Sequence, residues 1–487
     1  MGLSIVVNLY TVRVIWQVLG VDDYGIYNLV GGIVLMFQFL NAAMVASSQR
    51  FISFQLGKKN LENLKKVFSI SVTVHYLLAG VILLLAETIG LWFLNSKLNI
   101  PEGRMFAANW VFQCSLLALL ISVISVPYSA CIVAHEHMKA YGYIGILEVL
   151  LKLAIVFLLM VIPFDKLITY AILILFVQVT IRIIYQSYCR RNFVECQYKY
   201  VREPHLMRDM FSFAGWSFLG NLGFSVRDQG LNIILNMFYN VAMNAARGIA
   251  LQVTGVISGF ASNFQMALNP QITKRYASGE TTSMVDLVFR GCKFSLYLLS
   301  IIAIPLWVAC EEVLKLWLDT VSPQTIAFLR LALIMALIDS MASPITTAIQ
   351  ATGKIKIFQI LISIIMVGSL PAAWLYMKIH PDPYAVMYVA IGCSVLALAT
   401  RFYLMYKLII FNFYQRLVSL SKDFIIIFIS GITSFYIFSI FSPRLFYLFL
   451  FSTISITISI VLIFLFGITQ TEKRFLIRSI LYRRFLK

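Results

Sequence analysis

Long apolar runs, punctuated by Gly, Pro and charged residues, recur along the whole chain and predict fourteen helical spans. They cover about 3–20, 24–47, 67–93, 107–134, 141–162, 167–189, 211–238, 241–268, 288–310, 325–351, 355–378, 384–408, 421–441 and 444–468. Two of these runs carry rows of polar residues at helical spacing. In the seventh, Asn221, Ser225, Asp228, Asn232 and Asn236 are spaced 4, 3, 4 and 4 and so share one face. In the eighth, Thr254, Ser258, Ser262, Gln265 and Asn269 repeat at 4, 4, 3 and 4, with Arg247 seven residues ahead. The second span repeats the idea sparsely at Gln38, Asn41 and Ser48.

Composition turns these runs into a class. The chain is 60% hydrophobic and 12% charged, whereas soluble proteins run at about 45–50% and about 25%. This is an all-α polytopic membrane protein. The formal charge of +18 does not make a nucleic-acid surface, because the basic residues fall in the short gaps between spans rather than on one soluble patch. Lys and Arg in the even-numbered gaps, the C-terminal tail and the span ends beside them number 26, against 6 for the odd-numbered gaps. That asymmetry places the even gaps and both termini in the cytoplasm and requires an even number of spans.

The chain also repeats itself. "PYSACIVAHEHMKAYG" from Pro127 aligns with "PITTAIQATGKIKIFQ" from Pro344 at an offset of 217, and Val67-Phe68 recurs as Val288-Phe289 at 221. Two matches at nearly one offset, each at an equivalent span boundary, predict two parallel six-helix lobes. Residues 1–189 form the first lobe, 190–210 a cytoplasmic linker and 211–410 the second lobe. Residues 411–487 hold spans 13 and 14 and a basic tail suited to anionic lipid.

Enzyme chemistry finds little room. The longest external gap, about Leu94 to Phe106, is a dozen residues, and no Gly-rich phosphate loop or nucleophile–base pairing appears. Asp22-Asp23 reads as a solvated turn. The seven cysteines read as small apolar residues or free thiols, and Cys189 with Cys196 matches no zinc or redox spacing. His135-Glu136-His137 reads as a solvated loop, so neither a metal nor an organic cofactor is expected.

The charges inside the spans are more informative, because each is costly at membrane depth. Glu148 and Lys152 can neutralise each other at i and i+4. Arg182, Arg401, Glu87 and Arg330 lie near span ends, where side chains snorkel. Arg13, Arg227, Asp228, Arg247 and Asp339 have no such explanation. Interhelical hydrogen bonding, at about 0.6 kcal/mol per contact, accounts equally well for the Ser and Thr members of the polar rows. For a row that also holds Arg and Asp, a water-filled cavity is the better reading. Arg13, Arg227 and Arg247 against Asp228 give that cavity a positive balance, which favours an anion, and the Arg fork suits phosphate oxygens. Asp339, in mid-span, is a candidate for proton or sodium coupling, with a hydrogen bond to a neighbouring helix as the simpler alternative.

Several strings carry a resemblance. "RVIWQVLGVDDYGIYNLVGGIV" from Arg13, "SSQRFISFQLGKKN" from Ser47, "FSFAGWSFLGNL" from Phe211, "NAARGIALQV" from Asn244 and "NPQITKRYASGE" from Asn269 resemble bacterial polysaccharide flippases. These are the Wzx-type members of the multidrug/oligosaccharidyl-lipid/polysaccharide exporter superfamily. The resemblance implies a MATE-like, two-lobed transporter of the bacterial inner membrane that works by alternating access. Its cargo would be an oligosaccharide on undecaprenyl diphosphate, the repeat unit of an O-antigen of lipopolysaccharide, a capsule or an exopolysaccharide. Its partners would be membrane lipids and the polymerase and chain-length proteins of the same pathway. Arg13, Arg227 and Arg247 would contact diphosphate or acidic sugar, with Asn221, Ser225, Asn232, Thr254 and Ser258 lining the path. Arg50 would either meet the diphosphate at the cytoplasmic end or anchor span 2. The start, "MGLSIVVNLYTVR", lacks the lead-in such proteins carry and the basic region of a cleavable leader, so the natural start is expected upstream. A drug/cation antiporter of the same fold is the main alternative. A polysaccharide polymerase or ligase, and a lipid scaffold without transport, are weaker ones.

Overall fold

The computed structural model describes residues 38–97, 102–239, 241–318, 321–439 and 445–470, with 100, 472, 473 and scattered positions between 11 and 34. Arg13, Asp22, most of span 1 and the last fourteen residues of the tail lie outside the described residues. Among the described residues the regular structure is helical and no strand occurs. The chain divides into two compact units, Met1–Asn221 and Leu222–Lys487.

The first unit holds α1 (Gln38–Gly57), α2 (Leu61–Leu85), α3 (Leu91–Lys97), α4 (Met105–Ala134), α5 (Met138–Val161) and α6 (Lys166–Asn192). It also holds the start of α7 (Pro204–Phe238). A left-handed Lys59, φ 54°, and the Asn60 cap, which accepts from the Asn63 N–H, turn the chain from α1 into α2. A π-turn over Ala86–Gly90 carries α2 on into α3. Through Pro127, α4 runs unbroken for 30 residues and packs on α1, α2 and α6 around Val111, Phe112 and Leu116.

Asp23 is not the solvated turn expected. Arg104 donates to both of its carboxylate oxygens and reaches Asp165 at 2.5 Å, tying the start of α4 to the cap of α6. Burial works to raise the Asp165 carboxyl, but the Ile168 N–H and the Arg104 guanidinium outweigh it and hold the group below the usual carboxylate range. Its stabilising effect is therefore present above the ordinary carboxylate range and lost as acid protonates it. Asp165→Ala removes both the cap and an ion-pair arm. It is expected to cost about 1–2 kcal/mol at neutral pH, read as a lower melting temperature, with the difference from wild type shrinking in acid.

The second unit continues with α8 (Val241–Ala277), α9 (Thr281–Val308), α10 (Cys310–Leu318), α11 (Pro323–Asp339), α12 (Ala342–Ala351), α13 (Lys356–Ile379), α14 (Ala385–Leu408), α15 (Phe413–Phe438) and α16 (Leu445–Leu462). Gly291 lets α9 approach α8 and α12 closely. A Cβ there would lie 2.3 Å from the Leu268 methyl and 3.2 Å from the Pro344 ring, which cannot move aside. Gly291→Ala is expected to lower stability by about 1–3 kcal/mol through overpacking, measured by thermal unfolding in detergent.

Each expected span from the third to the fourteenth has its helix. Among the described residues, ten helical stretches are long and apolar enough to cross a membrane, with α2 and α3, and α11 and α12, each taken together, which makes this a multi-pass membrane protein. The helices α7 and α8, at 35 and 37 residues, are long enough but not among them. These are the two that carry the full polar rows. One span departs from expectation: 325–351 is not one helix but α11 and α12, broken at Ser340-Met341. Pro344 has no N–H to give the Ser340 carbonyl four residues back. Gln265 of α8 takes that carbonyl instead, at 2.7 Å, and the Cys292 thiol takes that of Met341 at 3.3 Å.

Candidate functional site

Two large apolar clusters lie in the second unit beside smaller ones, and they draw on successive segments of the same helices. One takes Leu231 and Leu235 of α7, Ala246 to Ile257 of α8, Phe328 to Met335 of α11 and Ala385 to Ala390 of α14. The other takes Ile272 of α8, Val288 of α9, Met341 and Ile345 after the break, Met366 of α13 and Ala397 to Met405 of α14. Polar residues occupy the register between them: Arg227 and Asp228 on α7, Ser258 to Gln265 on α8, Asp339 and Ser340 at the end of α11, and Ser394 on α14.

A cavity of about 370 Å³ opens in this layer, lined by Asp228, Thr254, Ser258, Ser262, Gln265, Asp339 and Ser340 with apolar neighbours. Its described lining contains two carboxylates and no basic side chain. Arg227 and Arg247 do not line it, and Arg13 lies outside the described residues. Of the adjacent pair on α7, Asp228 is the one that borders it. The Arg227 side chain is 5% exposed and that of Asp228 48%, because neighbouring residues on a helix point about 100° apart. Arg227 shares its face with Gly223, where a Cβ would come within 3.1 Å of the Ser363 backbone of α13. Its guanidinium bonds Asp228 at 3.0 Å, the Met366 sulfur at 3.4 Å and the Ser394 hydroxyl at 3.5 Å.

Arg247 is equally hidden, at 1% exposure. It donates to the Asn232 side chain and, at 3.4 Å, to the Asp228 carbonyl, while its Nε has no partner among the described residues. Thr254 is buried and bonds the Ala250 carbonyl at 3.0 Å, whereas Ser258 is half-buried. Asn221 and Ser225 are exposed on α7. Asp339 faces the Ser394 hydroxyl and the charges of Arg227 and Arg401.

Arg401 was not expected here. It is buried at 4% exposure, not snorkelling, with its guanidinium 5.9 Å from the Phe224 ring. The internal repeat held the signal, since Arg182 and Arg401 stand 219 residues apart, between the two repeat offsets. Arg182 is buried too, over the Tyr128 ring at 4.2 Å. In the first unit, Arg50 sits among the rings of Phe51, Phe54 and Phe213 at 4.5, 5.0 and 5.5 Å.

The arrangement is therefore a polar layer with two carboxylates on the cavity wall and three guanidinium groups, Arg227, Arg247 and Arg401, behind it. A cavity of 370 Å³ holds about a dozen waters at ~30 Å³ each. It suits a hydrated cation or exchangeable protons.

Solved structures of membrane transporters share this fold. A MATE family multidrug resistance transporter of the MOP superfamily, in its outward-facing conformation, superposes with a TM-score of 0.70 at 14% identity, over 84% of this chain and 92% of that one. The MATE transporter ClbM in complex with Rb+ gives 0.66 at 15%, over 85% and 93%. A MOP superfamily transporter from Pyrococcus furiosus, described as having a binding pocket of reverse polarity, gives 0.67 at 14%, over 83% and 93%. The fold is the one these transporters share. The family model described as polysaccharide biosynthesis protein matches residues 1–276, and the MatE model matches 217–375. The chain belongs to the polysaccharide biosynthesis protein family. No curated protein sequence matches it.

Proposed function

We propose that this chain flips a polyprenyl-diphosphate-linked oligosaccharide from the cytoplasmic to the periplasmic leaflet of a bacterial inner membrane, by alternating access. The observation that carries the reading is the family match over residues 1–276, joined to a polar layer in which three buried guanidinium groups stand against two carboxylates. Three formal positive charges against two negative ones leave a net positive interior, which supports an anionic cargo such as a diphosphate or an acidic sugar. The cavity itself is too small for that cargo. Its carboxylates, Asp228 and Asp339, serve as the coupling site, binding a proton or sodium ion whose exchange shifts the balance between states. Arg13 and Arg50 would contact the diphosphate, with Asn221, Ser225 and Asn232 on the face of α7 that lines the path. The polymerase and chain-length proteins of the same pathway would take up the product.

A second reading, a drug/cation antiporter, has one specific observation in its favour: the described cavity lining is acidic. The two readings part in a host that lacks its own flippase but makes the lipid-linked unit. The flippase reading expects this chain to restore periplasmic exposure of the unit and to give no protection from cationic dyes. Dye export without exposure of the unit, at matched membrane levels and with several glycans supplied, would favour the antiporter.

A further inference from the structure

The cysteines do not all behave as isolated apolar residues. Cys131, near the end of α4, and Cys196, just beyond α6, meet Glu195 so that their two sulfurs and a carboxylate oxygen lie within 4.8 Å of one another. All three side chains are buried, with Glu195 3% exposed. Cys189, on the last turn of α6, is fully buried and within interaction range of both Cys131 and Cys196. His135 caps the end of α4, four residues after Cys131, and its Nε2 meets Glu195 at 2.5 Å.

The local fold is built to bring these groups together. Glu136 adopts φ 63°, and the His137 N–H returns to the Ile132 carbonyl, closing α4 just after His135. Phe193 ends α6 with its N–H on the Cys189 carbonyl and stacks on the His135 ring at 4.1 Å. A turn from the Phe193 carbonyl to the Cys196 N–H then brings Cys196 back against α4. Sixty residues separate the two halves of the site, which is why no short motif announces it.

We propose that Cys131, Cys189, Cys196 and Glu195 form a closed, four-ligand zinc site that fastens the segment after α6 to the end of α4. Thiolates with one carboxylate are a zinc donor set, and His135 holds the carboxylate from behind, as outer partners of zinc ligands do. Tetrahedral ligands stand about 3.8 Å apart at a Zn–S bond of ~2.3 Å, so the donors of Cys131, Cys196 and Glu195, within 4.8 Å of one another, need shifts of about an ångström. Cys189 stands outside that trio, its thiol donating to the Tyr128 carbonyl at 3.3 Å, and turns from that carbonyl to become the fourth ligand. Each thiol passes its proton to water as the metal binds. Four anionic ligands around one Zn2+ leave a negative site, and the cation to balance it is in place. Arg182 is buried, acts on the charge of Cys189, and has an Nη1 with no partner among the described residues. Both strands of the site lie on the side that carries the excess of Lys and Arg. That side faces the cytoplasm, where thiols stay reduced and a disulfide is disfavoured.

The test is metal analysis of the full chain, purified in detergent through a tag that binds no metal and without chelator. About one zinc per chain is expected. Cys131→Ser with Cys196→Ser should reduce it at least about tenfold, while Cys310→Ser, elsewhere in the core, should leave it unchanged. Should the double variant fail to fold, the wild type decides: stripped with chelator, reduced and titrated with Co2+, it should develop the thiolate charge-transfer band of tetrahedral cobalt. Wild type without zinc and without that band overturns the proposal. So does full zinc in a folded double variant, or a disulfide between any two of the three cysteines in protein alkylated before lysis.

Discussion

Arg247→Ala is expected to destabilise the protein by about 2–5 kcal/mol, the usual cost of truncating a large, fully buried side chain. The side chain is 1% exposed, so truncation leaves a cavity and strands its partners. The Asn232 oxygen and the Asp228 carbonyl both lose a donor. Arg247→Met separates packing from charge. It keeps most of the volume, and Asp228, half exposed, is not left as a buried unpaired anion. The Met variant is therefore expected to fold near wild-type stability and to lose transport of the lipid-linked unit at least about tenfold. Unfolding curves in detergent measure the first effect, and exposure of the unit at matched levels measures the second. A Met variant that transports normally would reduce Arg247 to a packing residue.

The second large effect is expected at Asp339. Its carboxylate is set among Arg227, Arg401 and Ser394 and borders the cavity. Asp339→Asn keeps the shape but removes a charge that two buried guanidinium groups share, so a stability loss of about 2–4 kcal/mol is expected. Transport driven by an imposed proton or sodium gradient should fall at least about tenfold, while gradient-independent movement of the unit persists. Asp228→Asn should have the smaller effect on stability, because its carboxylate is half exposed and water already solvates it. Proteoliposomes with and without an imposed gradient distinguish the outcomes. If Asp339→Asn responds to the gradient as wild type does, the cavity is not the coupling site.

The fold was largely legible because membrane helices are written in hydropathy, and the spans from the third onward each found a helix. The break at Ser340 was not, since the hydropathy of 325–351 is that of one continuous span. Only the lost partner of Pro344 marks it, and Pro127 at the matching place in the repeat leaves α4 whole. At the site, the polar rows of α7 and α8 were read from spacing alone, and the cavity does touch Asp228, Thr254 and Ser258. Spacing could not say which of two adjacent charges faces open space. That depends on Gly223 and its close approach to α13. Arg401 and Arg182 were passed over because distance from a span end says nothing about what a side chain packs against. The cysteine cluster escaped for a similar reason, since its donors meet only after two distant helix ends are brought together.

The most direct measurement is movement of the cargo itself. Purified chain is reconstituted into liposomes holding a fluorescent undecaprenyl-diphosphate-linked oligosaccharide, and the fraction reaching the outer leaflet is followed by quenching. The account predicts transfer well above protein-free liposomes, lost with Arg247→Met and made gradient-insensitive by Asp339→Asn. No transfer of neutral or acidic units by folded wild type, alongside uptake of a cationic dye, would contradict it.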